Sequence, residues 1–127
     1  MPEIIDTPNA PQLGRFPIAQ AVRSGHLVFV SGITPFTLDR TLAKDDFTAQ
    51  MRQTMTNVGA ILDAAGTGFD RVVKCTVILA RREDWGTMNE IYREYFPANH
   101  YPARTAFQAL LPHPDFLVEV ECVAEVA

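Results

Sequence analysis

Arg104 stands among apolar and turn-forming residues in the run Tyr101-Pro102-Ala103-Arg104-Thr105, and Glu119 follows inside the strand-like run Leu117-Val118-Glu119-Val120-Glu121-Cys122. A guanidinium presents a planar fork of donors that grips a carboxylate at two points, and a glutamate beside it can orient a water or accept a proton. Such a pair can hold an anionic small molecule and act on it. The same residue types also fit an ion pair, Arg104 with Glu119 or Glu121, that ties two strands together. The residues alone leave these readings even, and an ion pair with Glu119 could itself pre-position the arginine for a ligand.

Two weaker candidates accompany them. Ser31-Gly32 closes a strand, so its backbone amides either face a pocket or form a simple turn. Asn89 falls mid-helix, where asparagine has mediocre propensity and commonly faces solvent or caps a neighbouring backbone group. His26, His100 and His113 have no metal-ligand spacing and no nucleophile partner, and the chain carries neither a phosphate loop nor a dinucleotide fingerprint. Cys75 and Cys122 each lie in an apolar run and read as buried free thiols. No metal is expected.

Charge and composition narrow the partners. A net charge of −4 gives no electrostatic footprint for a phosphate backbone, so a nucleic-acid partner is not expected. No run has the roughly 18 apolar residues of a membrane span, and Met1-Pro2-Glu3-Ile4-Ile5-Asp6 lacks the basic flank and apolar core of a secretory signal. A soluble cytoplasmic protein is the expectation. The length of 127 residues and an apolar content of 47% suffice for one domain, residues 1–127, with a core that needs no disulfide.

The elements that must position these residues follow from periodicity. Pro2, Pro8, Pro11, Pro17 and Gly14 keep the first seventeen residues extended on the surface. Residues 18–23 read as a strand, Ser24-Gly25 as a hairpin turn, 26–31 as the return strand and 32–44 as a loop. Asp45 or Asp46 caps a helix whose apolar positions Phe47, Met51, Met55, Val58, Ile61, Leu62 and Ala65 step by three and four, with Gly66 as its stop. Residues 72–79 form a buried central strand, 83–96 a second helix ended by Pro97, and 105–110 and 117–126 two further strands. The last strand sets Val118, Val120, Cys122 and Ala124 on one side and Glu119, Glu121, Val123 and Glu125 on the other. The result is an α+β domain with two helices on one face of a mixed sheet. The other face lacks cover from this chain, so a second subunit is the physical expectation.

In order and spacing the chain resembles the RidA family, also called YjgF/YER057c/UK114, of trimeric enamine/imine deaminases. The matching pieces are Pro17-Ile18-Ala19-Gln20-Ala21-Val22, Leu27-Val28-Phe29-Val30-Ser31-Gly32 with Pro35 soon after, Gln50 and Asn57 with Leu62-Asp63-Ala64-Ala65-Gly66, residues 72–77, residues 88–96 beginning Met88-Asn89, Pro102-Ala103-Arg104-Thr105, Leu111-Pro112 and Val118-Glu119-Val120-Glu121. The resemblance implies a chorismate-mutase-like fold with a six-stranded mixed sheet, assembled as a homotrimer around a central barrel with clefts between subunits. It implies Arg104 as the substrate-carboxylate anchor and Glu119 as the water-orienting group, with Ser31, Gly32, Asn89 and the backbone of Ala106 lining the cleft. The implied reaction is hydrolysis of 2-imino or enamino acids to 2-keto acids and ammonia, without metal or organic cofactor. A carboxylate-binding trimer that does not catalyse is the alternative; ribonuclease or translation-inhibitor activity, attached to some relatives, fits the acidic composition least.

Three positions depart from the pattern. Ile18 stands where the family usually has a cleft tyrosine, Ile33 where glutamine is common, and Ala106 where cysteine or another small residue is frequent, with bulky Phe107 next. Ile18 and Ile33 together imply a more apolar cleft that favours larger side chains.

Overall fold

The computed structural model describes all 127 residues. In chain order the elements are β1 (Glu3–Ile5), β2 (Ala21–Ser24), β3 (Leu27–Ile33), α1 (Phe47–Ala64), β4 (Val72–Leu79), α2 (Trp85–Tyr92), β5 (Ala103–Gln108) and β6 (Val118–Glu125). They form one six-stranded sheet in the order β1-β2-β3-β6-β4-β5. Only β4 and β5 run parallel, joined by the crossover through α2, and every other pair is antiparallel. The architecture is α+β, two helices on a mixed sheet.

Alternation in the strands decides which residues meet the helices. Val118, Val120, Cys122 and Ala124 of β6, Cys75, Val77 and Leu79 of β4, and Val28 and Val30 of β3 are buried on that side. α1 supplies Met51, Met55, Val58, Ile61 and Leu62 to the same core and packs on β3, β6 and α2. Asp46 caps it, its Oδ1 accepting from the Ala49 N–H at 3.0 Å. Gly66, at φ +81°, ends it, and the Thr67 N–H reaches back to the Leu62 carbonyl at 3.0 Å.

Buried polar side chains fix the loops around this core. Gln50 donates to the carbonyls of Ala43 (3.0 Å) and Asp115 (2.9 Å) and accepts from the Leu117 N–H at 2.8 Å. That pins the start of β6. Asn57 donates to the carbonyls of Thr34 and Phe36, and Gln20 accepts from the Thr7 N–H and donates to the Pro11 carbonyl. Each replaces lost water contacts with geometrically sound hydrogen bonds.

Several boundaries differ from the sequence expectation, β5 among them, which runs Ala103–Gln108 rather than 105–110. Glu3–Ile5, expected as surface coil, adds a sixth strand by pairing with β2. β2 starts at Ala21 rather than residue 18, and the turn falls on Gly25-His26, with Gly25 at φ +61°. The second helix is shorter than residues 83–96: α2 is flanked by 3-10 turns at Arg82–Asp84 and Arg93–Tyr95. β3 extends through Ser31 and Gly32 to Ile33 by way of an irregularity in its pairing with β6 between Val30 and Ile33.

The opposite sheet face has no helix. Phe29 and Phe107 lie there, 45% and 46% exposed, with Ile78 and Val123 partly covered between them.

Candidate active site

β5 is an edge strand, and its register with β4 sets Arg104 opposite Cys75 and Ala106 opposite Val77. Both partners are core residues, so Arg104 and Ala106 face the helix-covered side. There the guanidinium carbon lies 4.8 Å from the Tyr92 ring centroid and 5.4 Å from that of Trp85, and Nη1 donates to Met88 Sδ at 3.6 Å. Trp85, Met88 and Tyr92 step by three and four along α2 and therefore share one face. This seat orients the guanidinium through its flat faces without neutralising it. The two ion pairs of the chain, Arg52 with Glu94 and Arg81 with Asp84, leave Arg104 free. Within this chain it does not tie strands together.

Arg104 borders an open depression of about 310 Å³ lined by Asn89, Tyr92, Arg93, Tyr101 and Pro102. The Tyr92 hydroxyl is buried with no hydrogen-bond partner, and burial, with Cys75 next, pushes its pKa far up. It is a proton donor that stays a donor. Beneath it Cys75 faces Cys122 across the β4–β6 pair. The facing Cys122 thiol lowers the pKa of Cys75, whereas the same neighbour and burial raise that of Cys122.

Glu119 has a different setting. It lies opposite Ile78 on the face away from the helices, half-buried and without a hydrogen bond or ion pair. Burial raises its carboxyl above the ordinary range, and the neighbouring charge of Glu121 adds to the shift. Its Oε1 occupies the space over Gly32: a Cβ at that position would overlap the carboxylate oxygen. Glycine thus permits this close approach, which a Cβ would end by pushing the flexible tip of Glu119 aside; no unusual φ is involved. Beside it the Ser31 hydroxyl donates to the Ala19 carbonyl at 2.6 Å and the Ser31 N–H to the Gln20 carbonyl at 3.0 Å, which leaves the hydroxyl oxygen free to accept.

The candidates therefore fall into two groups. Asn89, Ala106 and Arg104 belong to the helix-covered side, and Ser31, Gly32 and Glu119 to the β3–β6 ladder, Gly32 and Glu119 meeting on the bare face. Arg104 and Glu119 stand on opposite faces, with β4 between their strands. Ile18 is 51% exposed and borders a separate depression with Ile4, Ile5 and Leu13. Ile33 pairs with Val120, is 5% exposed and packs in the core. Its side chain turns away from Glu119 because the pairing irregularity shifts the alternation of β3. The seat of Arg104, Trp85 with Met88 and Tyr92, and the lining residues Arg93 and Tyr101 are additions to the expected set; the spacing along α2 was the available signal.

A family model described as Endoribonuclease L-PSP matches residues 7–126. The chain belongs to this L-PSP, or RidA, family. A RutC family protein, PH0854, of Pyrococcus horikoshii is 39% identical over 126 residues, covering 98% of each chain. The 2-iminobutanoate/2-iminopropanoate deaminase of Homo sapiens is 38% identical over 123 residues, 95% of this chain and 88% of that protein. Among solved structures of the L-PSP family, E. coli TdcF with bound serine superposes with a TM-score of 0.89 at 33% identity, covering 98% of this chain and 99% of the other. The likeness spans β1 to β6, the elements that carry both Arg104 and Glu119.

Proposed function

We propose that this protein hydrolyses reactive 2-imino and enamino acids to 2-keto acids and ammonia, at sites formed between neighbouring copies in a homotrimer. The observation that carries the reading is Arg104: an oriented, unpaired guanidinium at an open depression that also holds Asn89. Its natural counter-ion is the substrate carboxylate. Because Glu119 lies on the other face of the same sheet, one chain's Arg104 meets a Glu119 only if a second copy brings its bare face to the depression. The exposed Phe29 and Phe107 make that face suited to burial. The imine deaminase name of the human relative supports the reaction class.

The chemistry asks little of the protein. A protonated imine carbon is already electrophilic, so holding the carboxylate and aiming one water supplies most of what is required. The water oxygen bonds to the imine carbon and its proton passes to Glu119. Returned to nitrogen, that proton makes ammonia the leaving group; as the C–N bond breaks, the hydroxyl proton of the adduct passes to the Glu119 carboxylate and the carbonyl forms. A carboxyl raised by burial suits both directions of transfer. Ser31 and the Gly32 backbone, beside Glu119, would hold the water or the nitrogen.

The test generates an unstable imino acid with an amino-acid oxidase and follows keto-acid formation. Wild-type protein accelerates it and Arg104→Ala does not; equal rates for the two reject the reading. A second reading, a non-catalytic carrier of small carboxylates, draws on the serine held by the TdcF structure and on apolar Ile18. It requires ligand-dependent thermal stabilisation, lost in Arg104→Ala, without any turnover.

A further inference from the structure

Arg104 is not the only cation at its depression. Arg93 lines it as well, one turn beyond Asn89 on the end of α2, where its backbone is still helical. Arg93 is exposed and forms no ion pair: Glu94 is held by Arg52 through two contacts of 2.9 and 3.1 Å and Asp84 by Arg81, while Glu90, one turn before Arg93, is unpaired and is a carboxylate that a ligand must outcompete. No acidic residue lines the depression. In a chain of net charge −4, two unpaired guanidiniums at one opening form a local excess of positive charge. A ligand with one carboxylate answers only one of them.

We infer that the Arg93–Arg104 depression selects 2-imino acids carrying a second carboxylate on the side chain, with Arg104 holding the carboxylate beside the reacting carbon and Arg93 the distal one. This rests on the deaminase reading for the reaction but not for the binding. It runs against the preference for large apolar side chains expected from Ile18 and Ile33, and Ile33 lies in the core and cannot enforce that preference.

The experiment compares the imines of aspartate and alanine, each generated in situ by an amino-acid oxidase, with wild type, Arg93→Ala and Arg93→Lys. In parallel, calorimetry measures binding of 2-oxoglutarate and pyruvate, which needs no turnover. Wild type favours the aspartate imine, Arg93→Ala lowers that preference about fivefold, the scale of one exposed charge pair, and Arg93→Lys keeps most of it. Added salt weakens the preference in wild type. A ratio unchanged in Arg93→Ala, with both imines turned over, overturns the inference and leaves the deaminase reading standing. No turnover of either imine, with 2-oxoglutarate still bound more tightly than pyruvate through Arg93, overturns the deaminase reading and leaves the dicarboxylate pocket standing. Because Arg93 is exposed, its variants keep the wild-type melting temperature, which separates these outcomes from misfolding.

Discussion

On the helix-covered face of the sheet the chain pairs most of its own polar groups: Gln50, Asn57 and Gln20 meet backbone partners at hydrogen-bonding distance, and the apolar stripe of α1 closes over β3 and β6. On the bare face Phe29 and Phe107 stay half exposed, and Glu119 is half-buried with no partner. One sequence closes the covered face except at the Tyr92 hydroxyl, whereas the bare face keeps two half-exposed rings and a carboxylate without partners. Arg104 sits where the covered layer gives out, at the edge strand, oriented by α2 but uncompensated. A functional site spread across such a boundary needs one group from each kind of surface.

The comparison is broken most severely at its boundary. Arg104→Ala removes the charge partner of a desolvated carboxylate and costs about 2 kcal/mol or more, at least roughly thirtyfold in kcat/KM. Its position opposite Cys75 predicts that the fold survives, checked by an unchanged melting curve. A sharper form mixes Arg104→Ala chains with Glu119→Ala chains during refolding. If each site takes Arg104 from one copy and Glu119 from the next, about a quarter of sites in random trimers regain both groups, and activity returns. Sites built within one chain regain none.

Breaking the covered face affects stability instead. Gln50→Ala orphans the buried Leu117 N–H and the carbonyls of Ala43 and Asp115, and should cost about 2 to 3 kcal/mol in denaturant unfolding. The bare face is more tolerant. Gly32→Ala pushes the Glu119 carboxylate off β3, which lowers kcat more than it changes KM while the core is left as it was, a loss of about 1 to 2 kcal/mol in transition-state stabilisation. Serine at the same position gives no rescue, because the Cβ itself is the obstruction.

The smallest effect concerns proton linkage. Burial raises the Glu119 carboxyl in the folded state above its usual 4.5. The folded state then binds its proton more tightly than the unfolded state. This stabilising contribution is fully present below the usual value and is lost as pH rises through the raised one. Glu119→Gln should therefore melt higher than wild type near neutral pH, by an amount that shrinks to nothing below about pH 4. An unchanged difference across that range rejects the linkage.

Much of this was legible in the sequence because local signals agreed with tertiary ones. The spacing from Phe47 to Leu62 between Asp46 and Gly66 determines α1, and the alternation of Val118 to Glu125 assigns Glu119 to the face away from Val120. The exceptions have physical reasons. β1 is three residues long among prolines, and its pairing with β2 carries no local pattern. Ile33 reads as a cleft residue beside Gly32, but the irregularity after Val30 reverses the alternation and sends it inward. Aromatic and sulfur side chains at helical spacing, as at Trp85, Met88 and Tyr92, look the same whether they cover a sheet or seat a guanidinium. Nor does the sequence say that Arg104 and Glu119 face apart, since that depends on β4 standing between their strands.

The residues that seat and surround Arg104 all come from one contiguous segment, Trp85 to Ala106, whereas the setting of Glu119 is assembled from β3 and β6. On the proposed reading, ligand preference and proton handling would be stored in separate stretches of chain. Substitutions at Arg93 or Tyr101 can retune which carboxylate is admitted while the Gly32–Glu119 contact is inherited intact. Swapping that one segment between relatives should therefore carry over selectivity without the reaction having to be reinvented.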